Sequence, residues 1–160
     1  MMSLCSELLK ALNGRTFSTA ESSTGGGIGA AFTAVPGSSA VYKGGIISYT
    51  NWVKENLLGV PTEILVQKGA VSEETAKAMA VGVRKQLRTT MAVSVTGIAG
   101  PDTDEFHTPV GTVYIGYADA KTSFAKKFFF SGDRCSIRQQ ATCAALEILL
   151  TECKGEGNPS

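Results

Sequence analysis

The stretch MAVSVTG, residues 91–97, restricts the fold most, because it is apolar almost without interruption. A strand with one face in water alternates apolar and polar residues, whereas a strand covered by helices on both faces is apolar nearly throughout. A predicted helix precedes this stretch, capped at Ser72 and with Ala76, Met79 and Val83 on its apolar stripe. A predicted hairpin follows it. The sequence therefore favours an α/β fold.

The remaining periodicities predict the order helix, strand, helix, strand, helix, helix, strand, hairpin, helix. Leu4, Leu8 and Leu12 recur as on an amphipathic first helix, and Asn13 with Gly14 marks its end. The other strands are expected over 15–20, 44–50, 110–118 and 123–130, with further helices from about 24, 51 and 72 and a last helix over 133–151. This order predicts a three-layer α/β/α sandwich with a mixed sheet of about five strands.

Length and composition indicate one globular domain. A chain of 160 residues with 43% apolar and 18% charged residues is long enough to bury a substantial core. We predict a single domain over residues 1–152 and a flexible tail over residues 153–160. The net charge of +1 at pH 7 and the scattered lysines and arginines argue against nucleic acid or an anionic membrane as partner.

The cysteines, the single histidine and the absence of long apolar runs narrow the chemistry and the compartment. The four cysteines form no C-x-x-C pair and no disulfide-framework spacing, so we expect free thiols in a reducing compartment. His107 is the only histidine, which excludes a histidine-rich metal site in one chain. No secretory signal and no apolar run of about 20 residues is present. We therefore predict a cytoplasmic protein without a metal.

A glycine-rich stretch, TAESSTGGGIG over residues 19–29, follows the first predicted strand. Ligands of open α/β sheets bind at the carboxyl ends of strands, where Ser22 and Ser23 are expected to lie. The amides of Thr24, Gly25 and Gly26 would begin a helix, and free N–H groups there favour an anion or a developing oxyanion. In the alternative interpretation the serines cap the helix and the glycines pack it against the sheet.

Familiar motifs for phosphate binding or for a nucleophile do not match this stretch. Gly25-x-Gly27 starts like a dinucleotide fingerprint, but Ala30 stands at the third glycine and the next strand ends without an acid. The Gly-Lys-Ser/Thr of a P-loop and the G-x-S-x-G of a nucleophile elbow are absent.

A hydroxyl nucleophile at this turn needs a base, and two side chains qualify. His107 is one candidate, although its polar loop beside Asp104 and Glu105 is also typical of a solvated histidine. Lys54 is the other candidate. If strands 15–20 and 44–50 are neighbours, Ser22 and Lys54 reach the same edge of the sheet. A lysine acts as a base only when its pKa is lowered toward about 7–8, and an exposed lysine is the alternative.

Two arginines near the start of the last helix give a separate indication of a ligand. Arg134 and Arg138 are like charges four residues apart, close to a helix N-terminus that disfavours positive charge. Asp133 relieves part of this cost. Either an anionic ligand facing Arg138 or a surface salt bridge would relieve the rest.

Six stretches, taken in chain order, resemble one known family, the CinA C-terminal domain family of nicotinamide mononucleotide deamidases. They are AESSTGG, PGSSAVYKGGIISYTNWVKENLLGV, GAVSEETAKAMA, SVTGIAGPD, PVGTVYIGY and FSGDRCSIRQQATCAALEIL. The resemblance covers about residues 4–150. It implies hydrolysis of nicotinamide mononucleotide to nicotinate mononucleotide and ammonia, in pyridine nucleotide recycling. Relatives often carry an N-terminal molybdopterin-binding-like domain, so we expect this chain to be the stand-alone form.

The resemblance also implies which residues act. Ser22 would be the nucleophile, Lys54 the base, and Tyr49 a catalytic residue that holds Lys54 or relays its proton. The substrate-binding residues would be Ser23, Thr24, Gly25, Gly26, Ser39, Thr96, Gly97 and Arg138. No metal or organic cofactor is implied, the partner would be a small nucleotide substrate, and a homo-oligomer is expected.

Two positions depart from the family pattern. Ser23 stands where the family usually has cysteine, and the loop after GIAGPD reads TDEFHTPVG, which is more acidic and bulkier than usual. The altered loop, residues 102–108, leaves two alternatives open. One is a nucleotide-binding paralogue without catalysis, and the other is a serine amidase or esterase of different specificity.

Overall fold

A computed structural model gives the fold of residues 1–156, which are the residues described here. The elements, in chain order, are α1 (Met2–Leu12), β1 (Phe17–Glu21), α2 (Gly27–Thr33), a 3-10 turn (Ser38–Ala40), β2 (Tyr42–Ile47), α3 (Asn51–Leu58), α4 (Thr62–Gln67), α5 (Glu73–Leu87), β3 (Met91–Gly97), β4 (Thr112–Asp119), β5 (Ser123–Phe129) and α6 (Arg134–Glu156).

The five strands form one mixed sheet in the order β2-β1-β3-β4-β5. β1 pairs in parallel with β2 and with β3, whereas β4 is antiparallel to both β3 and β5. The predicted mixed sheet of about five strands is confirmed, including the neighbouring positions of the first two strands. As a result, the segments that follow β1, β2 and β3 all emerge at one edge of the sheet.

Helices cover both faces of the sheet. α1, α2 and α6 pack on one face, where the larger core gathers Phe17, Val93 and Val95 with residues of those helices. α5 packs on the other face and supports α3 and α4, with Ala20 and Ala92 in the core between them. The first six residues of β3 are buried, so the apolar stretch 91–97 is the covered strand that its composition predicts.

α5 is anchored closely to the middle of the sheet. The Ser94 hydroxyl donates to the Ala76 carbonyl at 2.6 Å. A Cβ added at Gly116 of β4 would come within 2.2 Å of the same carbonyl oxygen, so glycine is required for this close approach. The anchor also holds the segment before α5, which forms one side of the site described below.

Several boundaries differ from the sequence predictions. α2 begins at Gly27 rather than near 24, because a turn over residues 22–26 comes first. α3 is capped by the Thr50 hydroxyl, which accepts from the Val53 N–H, and not by Asn51. α4 was not predicted, because Pro61, interpreted as a stop signal, instead stands at the start of a helix.

α6 runs to Glu156, five residues beyond its predicted end at 151. The side chain of Cys153 is buried, and its carbonyl accepts from the Arg15 guanidinium at 3.1 Å, so packing against the N-terminal part of the chain extends the helix. The predicted flexible tail from 153 is therefore helical up to Glu156, and its remainder, 157–160, lies outside the described residues. All four cysteines are free. Over residues 1–156, none of the helices has the length and apolarity needed to cross a bilayer.

Candidate active site

The amine of Lys54 lies 3.2 Å from the hydroxyl oxygen of Ser22. Ser22 is the first residue after β1, and Lys54 lies on the first turn of α3, which follows the neighbouring strand β2. Nζ of Lys54 also donates to the carbonyls of Ser48 at 2.8 Å and of Tyr49 at 3.5 Å. The expectation that parallel neighbours bring Ser22 and Lys54 to one edge of the sheet agrees with this contact.

Lys54 is buried without a charged partner. Its side chain is 1% exposed, and within the described residues Nζ contacts only the Ser22 hydroxyl and the two carbonyls. Burial lowers the pKa of Lys54 from 10.5 to about 8, because the charged form loses its hydration. In the neutral amine the two hydrogens face the carbonyls and the lone pair is left for the Ser22 hydroxyl. This is the arrangement of a nucleophile and its general base.

Alternation along β1 places two different polar groups on opposite faces of the sheet. Ser22 continues the side of Ala20, which packs toward α5, and meets Lys54 there. Glu21 points the other way, toward α2. Its carboxylate accepts from the Thr24 hydroxyl at 2.7 Å, from the N–H groups of Ile28 at 2.8 Å and Gly29 at 3.1 Å, and from the Thr19 hydroxyl at 3.2 Å.

The start of α2 itself is occupied by the Glu21 carboxylate. The side chain is 2% exposed and occupies the N–H groups of Ile28 and Gly29 in the first turn of α2, whereas the expected donors were the amides of Thr24, Gly25 and Gly26 in the turn before it. Sequence reasoning assigned no role to Glu21. The available signal was a lone acid directly before the serines and three residues ahead of Thr24, a spacing suited to a side-chain cap.

The turn over residues 22–26 presents its backbone donors beside the nucleophile. Gly25 and Gly26 have φ angles of +58° and +103°, which glycine adopts without strain. The Gly25 N–H donates to the Ser22 carbonyl, whereas the N–H groups of Ser23 and Thr24 have no acceptor in the described part of the chain. The Ser23 hydroxyl is also buried without a partner there. Of the predicted oxyanion donors in this turn, only the Gly25 N–H is thus engaged by another group of the described chain.

A cavity of about 260 Å³ opens at Ser22 and Lys54. It is lined by Ser22, Ser23, Tyr49, Lys54, Ala70, Val71, Thr96, Gly97, Ile98, Ala99, Gly100, Asp102, Thr103, Asp104 and Arg134. A larger cavity of about 600 Å³ lies between α3 and α5 and contains none of the groups discussed above.

The two arginines of α6 have different positions from those expected. Arg134 lines the cavity and donates to the Gly100 carbonyl at 2.7 Å and to the Tyr49 hydroxyl at 3.3 Å. Arg138 does not line it. Its guanidinium donates to the carbonyls of Ser23 at 3.0 Å and Thr24 at 3.2 Å, on the side of the turn that faces α6. The cation available to a ligand beside Ser22 is therefore Arg134, because Arg138 is engaged behind the turn.

The other predicted residues separate into two groups. Thr96 and Gly97 line the cavity, with the Thr96 hydroxyl donating to the Ala70 carbonyl at 2.7 Å. Ser39 is exposed in the 3-10 turn that precedes β2, at the amino ends of the strands and so at the opposite edge of the sheet. His107 is exposed and does not line the cavity, as expected for a solvated loop histidine.

Tyr49 contacts Lys54 through its backbone and not through its phenol. The carbonyl lies 3.5 Å from Nζ, whereas the ring is 60% exposed and its hydroxyl accepts from Arg134. The predicted holding or relay of the proton by the phenol is therefore not supported by a contact in this structure. The phenol belongs instead to the mouth of the cavity.

The loop over 102–108 forms the far wall of the cavity and is braced internally. The Asp104 carboxylate accepts from the N–H groups of Phe106 and Thr108 and from the Thr108 hydroxyl. The ring of Phe106 lies over Gly69, where an added Cβ would come within 2.9 Å of it. The described residues contain no cluster of three or more histidine, cysteine, aspartate or glutamate side chains placed to hold a metal ion.

Comparison with known proteins places the chain in one family. The model of the CinA C-terminal domain matches residues 1–153. A CinA-like protein of Solibacter usitatus is 48% identical over 141 residues, which cover 88% of this chain and 34% of that protein. A CinA-like protein of Endomicrobium trichonymphae is 50% identical over 137 residues, covering 86% and 32%. The chain thus spans about a third of the length of these curated relatives.

Solved structures agree over nearly the whole chain. The competence/damage inducible protein CihA of Agrobacterium tumefaciens is 38% identical, with a TM-score of 0.90, and 94% of this chain and 93% of that chain are covered. The competence damage-inducible protein A of Klebsiella pneumoniae is 33% identical, with a TM-score of 0.91 and coverage of 94% and 95%.

Proposed function

The chain belongs to the CinA C-terminal domain family, and from this premise we propose that it is a serine amidase that hydrolyses the carboxamide of nicotinamide mononucleotide. The products would be nicotinate mononucleotide and ammonia. The observation that carries the proposal is the Ser22 hydroxyl 3.2 Å from a buried lysine amine that has no carboxylate partner among residues 1–156.

The first step is attack by Ser22. Neutral Lys54 takes the hydroxyl proton while Oγ forms a bond to the carboxamide carbon, and the carbonyl electron pair moves onto the amide oxygen. With a pKa of about 8, about 9% of Lys54 is neutral at pH 7. A lysine with the ordinary pKa of 10.5 would be about 0.03% neutral. Burial thus raises the population of active base about 300-fold.

The second step releases ammonia. The Lys54 ammonium returns its proton to the amide nitrogen, the C–N bond breaks as the oxyanion collapses, and an acyl ester on Ser22 remains. Water then attacks the ester with Lys54 again as base, and the carboxylate leaves as Ser22 regains its proton. The free N–H groups of Ser23 and Thr24 stabilise the oxyanion in both steps.

Recognition of the nucleotide falls to the outer part of the cavity. Arg134 is the cation on its wall, and a guanidinium suits a phosphate because it presents paired donors. Thr96 and Gly97 lie on the inner wall next to Ser22, at the place for the ring and its carboxamide. No described residue is assigned to a metal or an organic cofactor in this mechanism.

The test is ammonia release from nicotinamide mononucleotide by the purified chain, in the presence of a chelator. Ser22→Ala is expected to abolish release while leaving nucleotide binding intact, and Ser39→Ala, at the opposite edge of the sheet, is the matched serine control. Wild-type rates from Ser22→Ala would overturn the proposal.

A second candidate is a nucleotide-binding protein of the same fold without catalysis. The observation that favours it is the altered loop over 102–108, whose Asp104 adds an acidic side chain to the cavity wall that Arg134 also lines. Saturable binding of nicotinamide mononucleotide with no ammonia would support this candidate. Turnover of simple amides or esters, but not of the nucleotide, would indicate a serine hydrolase of other specificity.

A further inference from the structure

We propose that Arg138 is a positioning residue for catalysis, which orients the peptide between Ser23 and Thr24 so that the Thr24 N–H faces the oxyanion on the substrate. This inference deepens the proposed function and rests on its acyl-transfer chemistry. It assigns Arg138 to the reaction and not to substrate binding.

The contacts of Arg138 are made with backbone carbonyls. Its Nε donates to the Ser23 carbonyl at 3.0 Å and its Nη2 to the Thr24 carbonyl at 3.2 Å. Both carbonyls belong to the turn that follows the nucleophile. No carboxylate in the described chain forms an ion pair with Arg138, and its side-chain hydrogen bonds there all go to this turn.

The planarity of the peptide converts these contacts into a direction for the N–H. In a trans peptide the C=O and the N–H point in opposite directions. Gly100–Pro101 is the only cis bond among residues 1–156, so the Ser23–Thr24 bond is trans. With its carbonyl held toward α6 by Arg138, this peptide points the Thr24 N–H to the other side of the turn. That side carries the Ser22 hydroxyl and Lys54.

Unpaired donors mark the place that the oxyanion would occupy. The Thr24 N–H has no acceptor among the described residues. Ser23 lines the Ser22 cavity and is 9% exposed. Its buried hydroxyl also has no partner among the described residues. Buried donors without a partner are rare in folded proteins, and a developing negative charge beside Ser22 would satisfy both.

The far side of the turn is separate from the substrate cavity. Arg138 lines a different cavity of about 280 Å³, together with Thr24, Cys135, Gln139 and others. Thr24 is also fixed by its side chain, because its hydroxyl donates to the buried Glu21 carboxylate. The turn is thus held by a carboxylate that accepts from its hydroxyl and by a guanidinium that donates to its carbonyls.

The experiment makes two measurements. The first is the rate at which a fluorophosphonate labels Ser22, because its phosphoryl oxygen needs the same oxyanion donors. The second is the kcat and KM of ammonia release. Arg138→Met is expected to lower the labelling rate and kcat about 10- to 100-fold, with KM changed less than twofold. Arg138→Lys should recover part of the loss, and added guanidinium should partly rescue Arg138→Met, because the side chain is solvent-accessible. Gln139→Met, the exposed neighbour lining the same cavity, is the control and should label at the wild-type rate.

Each outcome supports or overturns the inference. Wild-type labelling and kcat in a folded Arg138→Met protein would overturn it, as would a change confined to KM. A loss that only follows the unfolded fraction in thermal melts, without guanidinium rescue, would show a structural role and overturn it too. Absence of labelling at Ser22 in the wild type would overturn both proposals. Labelling of Ser22 without ammonia release would overturn nicotinamide mononucleotide as the substrate and leave the role of Arg138 standing.

Discussion

The two walls of the cavity are built differently. The inner wall, formed by Ser22, Ser23, Lys54, Thr96 and Gly97, is largely buried, and the serine turn and Lys54 are held by charged side chains and main-chain carbonyls. The outer wall, formed by Tyr49, Arg134 and the loop over 102–108, is largely exposed and is held by single side-chain contacts and by bonds within the loop. The inner wall therefore has the fixed geometry that a reaction needs, whereas the outer wall, which would recognise the substrate, can change in sequence.

Lys54 of the inner wall and the buried Glu21, which supports the serine turn from outside the cavity, form no ion pair with each other. Glu21 and Lys54 lie on opposite faces of the sheet edge, and each is satisfied by dipoles, four donors for the carboxylate and two carbonyls with one hydroxyl for the amine. An ion pair would have stabilised the charged lysine and raised its pKa. Keeping the two groups apart therefore leaves Lys54 available as a base.

The largest effect is expected at the inner wall, from Lys54→Met. Loss of the base should lower kcat for ammonia release about 1,000-fold or more, because Ser22 then has no group to accept its proton. Lys85→Met, an exposed lysine of α5, is the matched control and should retain full activity. Steady-state rates at pH 8 measure both variants. A loss in kcat below tenfold for Lys54→Met would contradict the assignment of the reaction to the inner wall.

A smaller effect, on stability, is expected from Glu21→Gln. The amide turns one acceptor oxygen into a donor that faces N–H groups of α2, and the free energy of unfolding should fall by about 3 kcal/mol. Urea denaturation followed by circular dichroism gives this value. Glu105→Gln in the outer loop, where the side chain is exposed, should change it by less than about 0.5 kcal/mol. Equal losses in the two variants would contradict the contrast between the walls.

The pH dependence of stability should also report on the inner wall. Since the folded pKa of Lys54 is about 8 and the unfolded value 10.5, the unfolded chain binds one more proton between these pH values. The free energy of unfolding therefore gains up to about 3 kcal/mol as pH rises from 8 to 10.5, and this gain is lost below pH 8. Lys54→Met should lack this slope, so the difference between wild type and variant isolates it. In parallel, kcat should rise with pH through about 8.

The smallest effect belongs to the outer wall. Arg134→Gln should raise KM for nicotinamide mononucleotide about tenfold with little change in kcat, because the guanidinium contacts a part of the substrate that does not react. Arg138→Met, four residues along the same helix, should do the opposite. Measuring both constants for the two variants sharpens the comparison, and a kcat loss in Arg134→Gln would place Arg134 in the catalytic machinery.

Much of this protein could be predicted from local patterns. The bounds of β3 coincide with the apolar run 91–97, and Ser72 caps α5 through its hydroxyl as expected. That Ser22 and Lys54 reach one edge followed from topology on the condition that their strands are neighbours, whereas the choice of Lys54 over His107 as base came from the family resemblance. Such features depend on residues close in sequence or on a rule of topology, so they can be predicted from a single amino-acid sequence.

The roles of the arginines could not be predicted in this way. Arg134 and Arg138 lie one turn apart on α6, and only the docking of that helix decides that the first reaches Tyr49 and Gly100 while the second reaches the carbonyls of the serine turn. For this reason the sequence could not show that Arg138 lines the cavity behind the turn and not the one at Ser22. Ser39 was misplaced similarly, because its turn precedes β2 and lies at the opposite edge.

By itself, the sequence determined the α/β order of elements except α4 and the covered central strand, and it brought Ser22 and Lys54 to one sheet edge on the condition that the first two strands are neighbours. These properties follow from hydrophobic period, capping residues and parallel topology. Only the tertiary structure decided that Lys54 is buried with carbonyls and no acid, that Glu21 occupies the helix N-terminus, and which arginine faces the cavity. Burial and hydrogen-bond partners come from segments distant in sequence, so they are set when the layers pack.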